Sequence, residues 1–269
     1  MMDRERLYRT EGIVLKRSDF GEADRLLVVF TPGHGKVRLL AKGVRKVPSR
    51  KAGHVELFMR SQFLVARGHS LDIITQAEAL DAYPGLRDAL VKATYAYYLA
   101  ELIDAFFEEG EENEAAYRLL AFALERLAAG DDPGLLARFF EMKLLGLTGY
   151  RPDLQRCVGC GAAHVASQVF FSPGEGGMRC AACGEVAPGL LAVSVGAFKV
   201  LRYLQSQEYA SISGLRLRPA TAREVEQVLR RYLTFILERN LKTTAFLSRV
   251  ERAGERDCAT KLDATVQTE

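Results

Sequence analysis

No stretch of this chain approaches the roughly 18 consecutive apolar residues that a membrane span requires. The opening MMDRERLYRTEGIVL carries charges and no apolar core segment, so no secretory signal is expected. A cytosolic protein is the default, and in that compartment the five cysteines are not expected to form disulfides. The motifs of common catalysis are missing as well. GHGKV offers a Gly-Lys pair, but Val37 follows and the upstream glycine of a phosphate-binding loop is absent. G-x-S-x-G, H-E-x-x-H and G-x-G-x-x-G do not occur. The histidines, His34, His54, His69 and His164, are scattered, and nothing marks a triad. These gaps point to a binder and not to an enzyme.

One further absence is local. Residues 35–51, GKVRLLAKGVRKVPSRK, hold no carboxylate. They hold Lys36, Arg38, Lys42, Arg45, Lys46, Arg50 and Lys51, in a chain whose net charge is only +3. Residues 1–80 carry +6, residues 81–150 carry −7 and residues 151–269 carry +4. A basic head, an acidic middle and a mildly basic tail imply distinct modules, at least one of which meets a polyanion. Surface charge normally mixes signs, so a merely solvated loop is the weaker reading of 35–51. The acidic run Glu108, Glu109, Glu111, Glu112 and Glu114 reads as a solvated turn between helices and not as a cation site.

What is present begins as β structure. GIVLKR (12–17), RLLVVF (25–30), KVRLLAK (36–42), HVELFMRSQFLVAR (54–67) and LDIITQAEAL (71–80) predict five strands joined mostly by short turns. Alternation along the third places Lys36, Arg38, Leu40 and Lys42 on one face and Val37, Leu39 and Ala41 on the other. Gly43 to Lys51 then reads as a mobile loop whose freedom Pro48 limits. Five strands in about eighty residues suit an OB-fold, with another small antiparallel barrel or sandwich as the alternative.

AYPG (82–85) ends this region, and the period changes from two to nearly four. A long helical segment runs to the acidic turn, a second is stopped by Gly130, and LLARFFEMKLLGLTG is a third. Ser194 can cap VGAFKVLRYLQSQ, and Thr221 with Glu224 forms a possible capping box opening AREVEQVLRRYLTFILERNL. The expected architecture is α+β and multidomain. An OB-fold nucleic-acid-binding barrel spans 1–80, and a helical domain with an insert at about 151–190 spans 81–252. A disordered tail covers 253–269.

The insert carries Cys157 and Cys160 in one CxxC and Cys180 and Cys183 in another, nineteen residues apart. That spacing suits a four-cysteine zinc site, one Zn²⁺ per chain. Gly161 and Gly184 follow the second cysteine of each pair, where a tight turn lets amides point at sulfur. Four cysteines leave no open position for water, which argues for a structural metal. A metal-free remnant, two disulfides and redox chemistry remain the competing readings. His164 lies between the arms as a weak fifth candidate, and Cys258 reads as an idle thiol.

A cationic strand followed by a cationic loop can track phosphates without reading sequence. Phe20, Phe58 and Phe63 are the candidates for base stacking, although each is more readily core. At this point three segments carry a resemblance: TEGIVLKRSDFGEADRLLVVFTPGHGKVRLLAKGVRKVPSR, EALDAYPGLRDAL and FFEMKLLGLTGYRPDLQRCVGCG. In that order they resemble the RecO family of bacterial DNA-repair and recombination mediators. The resemblance implies a cytoplasmic, nucleoid-associated protein with an N-terminal OB-fold and a helical domain bearing a zinc module. It implies binding of single- and double-stranded DNA and annealing of complementary strands. It further implies RecR, in some members RecF, and loading of RecA onto strands coated by single-strand-binding protein (SSB). The acidic C-terminal tail of SSB would then seek a basic pocket, for which Arg223, Arg230, Arg231 and Arg239 are candidates. A zinc-stabilised scaffold for protein partners, without annealing activity, is the second reading.

Overall fold

In the computed structural model, which describes residues 6–164, 168–184, 189–247 and 249–250, five strands close into an OB-like barrel. They are β1 (Leu7–Phe20), β2 (Asp24–Thr31), β3 (Gly35–Ala41), β4 (Arg60–Ala66) and β5 (Asp72–Asp81), in the order β1-β2-β3-β5-β4. All neighbours are antiparallel except β3 and β5, which meet in parallel at Leu39 and Leu40 opposite Asp72 and Ile73. Leu27, Val29, Leu39, Ala41, Phe63, Val65 and Ile74 fill the interior and are fully buried. Each aliphatic side chain removed from water in this way contributes about 1.5–3 kcal/mol. β1 runs longer at both ends than its apolar core segment suggests, and it bulges between Val14 and Lys16. The fourth strand is shorter than expected. Residues 54–59 are turn and 3₁₀ structure, and they are tied to β1 where Phe58 donates its amide to the Val14 carbonyl and the Met59 carbonyl accepts from the Val14 amide.

Helices α1 (Leu90–Phe106) and α2 (Glu114–Ala129) belong to the same compact unit as the barrel. That unit comprises the described residues up to Gly130 together with those from Leu241 onward. Phe30 points outward from β2 and meets Phe107 and Tyr117 at ring-centroid distances of 5.3 and 6.2 Å. One end of the β2–β3 outer face is thereby covered.

Among its described residues the second unit, Asp131–Asn240, holds α3 (Pro133–Leu147), a three-stranded sheet and four further helices. The sheet orders β7 (Gly177–Arg179), β6 (Val169–Ser172) and β8 (Leu191–Val193). The helices are α4 (Ala181–Gly184), α5 (Val195–Ser206), α6 (Tyr209–Ile212) and α7 (Pro219–Leu237). Ser194 caps α5 as expected, accepting a hydrogen bond from the Ala197 amide at 3.2 Å. The expected capping box does not form. Pro219 opens α7, so Thr221 lies inside the helix, and the Glu224 carboxylate instead accepts from the amide and hydroxyl of Ser194, both at 2.6 Å. The expected tail 253–269, with Cys258, lies outside the described residues.

Candidate nucleic-acid interface and metal centre

The basic run separates into cations held by the fold and cations left to solvent. Inward and outward alternation along β3 is as expected, with Leu39 and Ala41 inside the barrel. Lys36 does not join an open cationic face. It is only 9% exposed, and its ammonium donates to the Asp104 carbonyl at 2.8 Å and to the Asp104 carboxylate at 3.1 Å. Lys16 completes the cluster by pairing with the same carboxylate. Burial alone would raise the Asp104 pKa, but the two ammonium groups hold it below the usual carboxylate range.

The acidic turn after α1 explains this covering. Gly110 donates its amide to the Lys36 carbonyl at 2.9 Å, and Glu109 faces Arg38 at 3.7 Å. Gly35 has φ +61°, and a Cβ there would lie 2.2 Å from the Glu111 carbonyl oxygen, so only glycine admits the turn. The acidic run that read as a solvated turn thus lies against the start of the basic strand.

Beyond β3 the positive charge is progressively freed. Arg45 reaches Asp19 at 3.4 Å, and Lys51 donates to the Ile74 carbonyl at 3.0 Å, where burial pulls its pKa below the usual lysine range. Lys42, Lys46 and Arg50 are exposed and have no ion pair or side-chain hydrogen bond among the described residues. The loop that bears them is pinned at both ends. Val44 and Val55 insert into the barrel core, and Arg45 donates its amide to the Ala23 carbonyl at 2.9 Å. Glu56 binds Arg25 at 2.9 Å and also pairs with Arg17. Of the aromatic candidates Phe63 is core, Phe58 is buried, and Phe20 is 46% exposed at the end of β1.

The four cysteines converge. Their sulfurs all lie within 4.8 Å of one another, and Cys160 and Cys180 are 3.8 Å apart. A regular tetrahedron of zinc–sulfur bonds of about 2.3 Å has edges of about 3.8 Å, the Cys160–Cys180 spacing, so four thiols gathered this closely suit a tetrahedral metal such as zinc. All four thiols are free, which removes the paired-disulfide reading. Gly161, with φ +75°, turns the first knuckle, and its amide donates to the Cys157 carbonyl at 2.8 Å. The second knuckle leaves β7 at Cys180 and continues into α4. The Cys180 amide donates to the Cys157 sulfur at 3.3 Å. Burial pushes the Cys157 thiol up, but amides of Cys180, Cys160 and Gly159 outweigh it and bring the pKa down to about 6. Cys183 moves the other way, pushed up to about 12 by its sulfur neighbours Cys180 and Cys160. His164 is not part of the cluster, and its ring packs edge-on against Phe198 at 5.2 Å.

Residues 2–83 match the family described as Recombination protein O N terminal, and residues 87–245 match Recombination protein O C terminal. The chain belongs to the RecO family. Its relatives include the DNA repair protein RecO of Roseiflexus sp. (strain RS-1), 45% identical over 93% of this chain and 88% of that one. The DNA repair protein RecO of Pelotomaculum thermopropionicum is 42% identical over 92% of this chain and 96% of its own. That of Desulforudis audaxviator is 40% identical over 90% and 97%. This RecO-family chain therefore combines a DNA-repair ancestry with an OB-like barrel and a four-cysteine metal site. No helix among its described residues is long and apolar enough to cross a membrane.

One feature of this RecO-family chain was only partly visible in sequence. The second unit carries a groove of about 700 Å³ lined by Tyr150, Pro173, Tyr232, Phe235 and Arg239. It continues past Phe235 to Arg230 and Arg231. Three of the four expected arginines thus share a rim around an exposed phenylalanine. The fourth, Arg223, stays at the start of α7 and donates to the Pro219 carbonyl at 3.3 Å. Phe235 is the residue that sequence alone did not single out. The one available signal was its place on the same helix as the arginines.

Proposed function

We propose that this RecO-family protein is a non-catalytic DNA-binding mediator of recombinational repair. In this reading it binds single- and double-stranded DNA, anneals complementary strands and, with RecR, helps load RecA onto strands coated by SSB, with RecF as a further partner. The observation that carries the proposal is the row of exposed, unpartnered cations Lys42, Lys46 and Arg50 on a loop pinned to an OB-like barrel. Such a row lowers the repulsion between two phosphate backbones and needs no catalytic group to assist annealing. Arg38 and Arg45 extend the row, each exchanging a carboxylate for a phosphate. Lys36 and Lys51 serve the fold and lie off the proposed track.

Zinc is the metal proposed for Cys157, Cys160, Cys180 and Cys183. Bound there with no open position it supplies structure and no chemistry. The groove beside Phe235 is proposed to receive the acidic SSB tail, because Arg230, Arg231 and Arg239 line it and can pair with carboxylates, although Glu175, Glu226 and Glu238 line it too.

The test is the variant Lys42→Ala, Lys46→Ala, Arg50→Ala, followed by titration with labelled single strands at several salt concentrations. The slope of log K against log salt should fall in magnitude by about 2, at about 0.7 per lost phosphate contact. Strand annealing should slow in parallel. Unchanged slope and unchanged annealing would sink the proposal and favour the zinc-stabilised scaffold.

A further inference from the structure

We infer that a small cavity at the base of the barrel captures a single unstacked nucleobase from a bound strand. The cavity measures about 190 Å³, and its walls include Arg17, Glu56, Phe58, Tyr83, Arg87 and Tyr97. Small-molecule sites usually run from about 300 to 1,000 Å³, so this one is sized for one flat ring system.

Its chemistry suits that occupant. Its apolar walls combine Leu57, Leu86 and Ala93 with the buried rings of Phe58 and Tyr83 and the open ring of Tyr97. Phe58 and Tyr97 meet edge to face at 4.8 Å, while Tyr97 remains 45% exposed. Every base offers a π-face to such a ring, whatever its identity. The Arg87 guanidinium is exposed and has no side-chain partner among the described residues. It is placed to meet a phosphate or a base edge at the mouth. Arg17 and Glu56, already paired with each other, provide fixed donors and an acceptor in the wall.

The backbone here is held in an unfavourable conformation. Among the described residues only Phe58, Tyr83 and Glu238 combine a side chain with positive φ, and two of these three line this cavity. Strain of this kind persists where the surroundings impose it, and it concentrates at functional sites. The surroundings do impose it. Phe58 donates its amide to the Val14 carbonyl at 2.9 Å, at the bulge of β1. Tyr83 donates its amide to Asp81 Oδ1 at 3.0 Å, and the next turn is locked because a Cβ on Gly85 would lie 2.3 Å from the Ala128 carbonyl oxygen.

The cavity is also joined to the proposed phosphate track. Ion pairs run from Arg45 to Asp19, from Asp19 to Arg25 and from Arg25 to Glu56 in the cavity wall. A strand held by the loop thus has a receptor for a base at the other end of a fixed chain of charges.

This inference rests on the DNA reading, and the experiment separates the two. The full-length protein is titrated with an oligothymidylate and with an abasic strand of the same length. The wild type should bind the normal strand about tenfold more tightly. Tyr97→Ala should lose that preference while keeping its affinity for the abasic strand and its salt slope. Tyr97→Phe should restore it, and thermal melting confirms that both variants fold. Equal binding of both strands by the wild type, with a normal salt slope, overturns the pocket and leaves the DNA reading standing. A preference that survives Tyr97→Ala also overturns it. Binding of neither strand overturns both.

Discussion

Replacing Lys36 by methionine keeps the buried stem and removes the ammonium. Lys36 is 11% and Asp104 18% exposed at the side chain, so the pair is largely desolvated. Breaking a buried pair by deleting one partner costs about 3–5 kcal/mol. The loss here should be smaller, because Asp104 retains Lys16. Two charge-assisted bonds disappear, and about 2 kcal/mol is the expected loss. For a chain of this size that lowers the melting midpoint by about 4–8 °C. Asp104 sets the sign of the pH dependence. Its folded pKa is depressed, so its contribution is complete above the unfolded value of about 3.9 and is lost as pH falls through the folded value. The stability gap between wild type and Lys36→Met should therefore close in acid. Lys42→Ala should behave oppositely, with stability unchanged within about 0.5 kcal/mol and a salt slope smaller by about 0.7. Calorimetry and fluorescence anisotropy against salt measure both quantities. A Lys36→Met protein that melts like wild type and loses salt slope like Lys42→Ala would refute the division into structural and phosphate-facing cations.

Elemental analysis should find about one zinc per chain, and Cys157→Ser should abolish it and lower the unfolding temperature of the unit Asp131–Asn240, measured by proteolysis on heating. Gly35→Ala should destabilise by at least about 2 kcal/mol in denaturant titration, because positive φ and contact with the Glu111 carbonyl both oppose a Cβ. Phe235→Ala should weaken binding of a peptide with the SSB tail sequence at least about tenfold by calorimetric titration, with DNA affinity unchanged.

Much of this was legible in the chain because it depends on short-range pattern. Alternation placed Leu39 and Ala41 inside the barrel, and paired CxxC spacing brought four sulfurs together. What escaped depends on segments far apart in sequence. Lys36 reads as surface charge until Asp104, sixty-eight residues later, arrives beside it. Glu224 has capping-box spacing from Thr221, but Ser194, thirty residues earlier, takes it. Val44 looks like a loop residue because its flanks are polar, and Val55 reads as the start of the fourth strand, so only barrel closure reveals that the interior takes the volume of both from a connecting segment. Charge counting found the basic head and the acidic middle but not that part of each neutralises the other at Arg38 and Glu109.

The pinning of the loop at Val44 and Val55 has a consequence for how a strand would come and go. A floppy basic segment would have to surrender backbone freedom on every encounter, and the ordering would offset much of the attraction. Here only the tips of Lys42, Lys46 and Arg50 have freedom left to lose, about 0.5–1.5 kcal/mol per immobilised side chain. Contacts on such a ready-made ledge form and break one at a time. A strand can then creep along it or be passed onward without the protein refolding at each step.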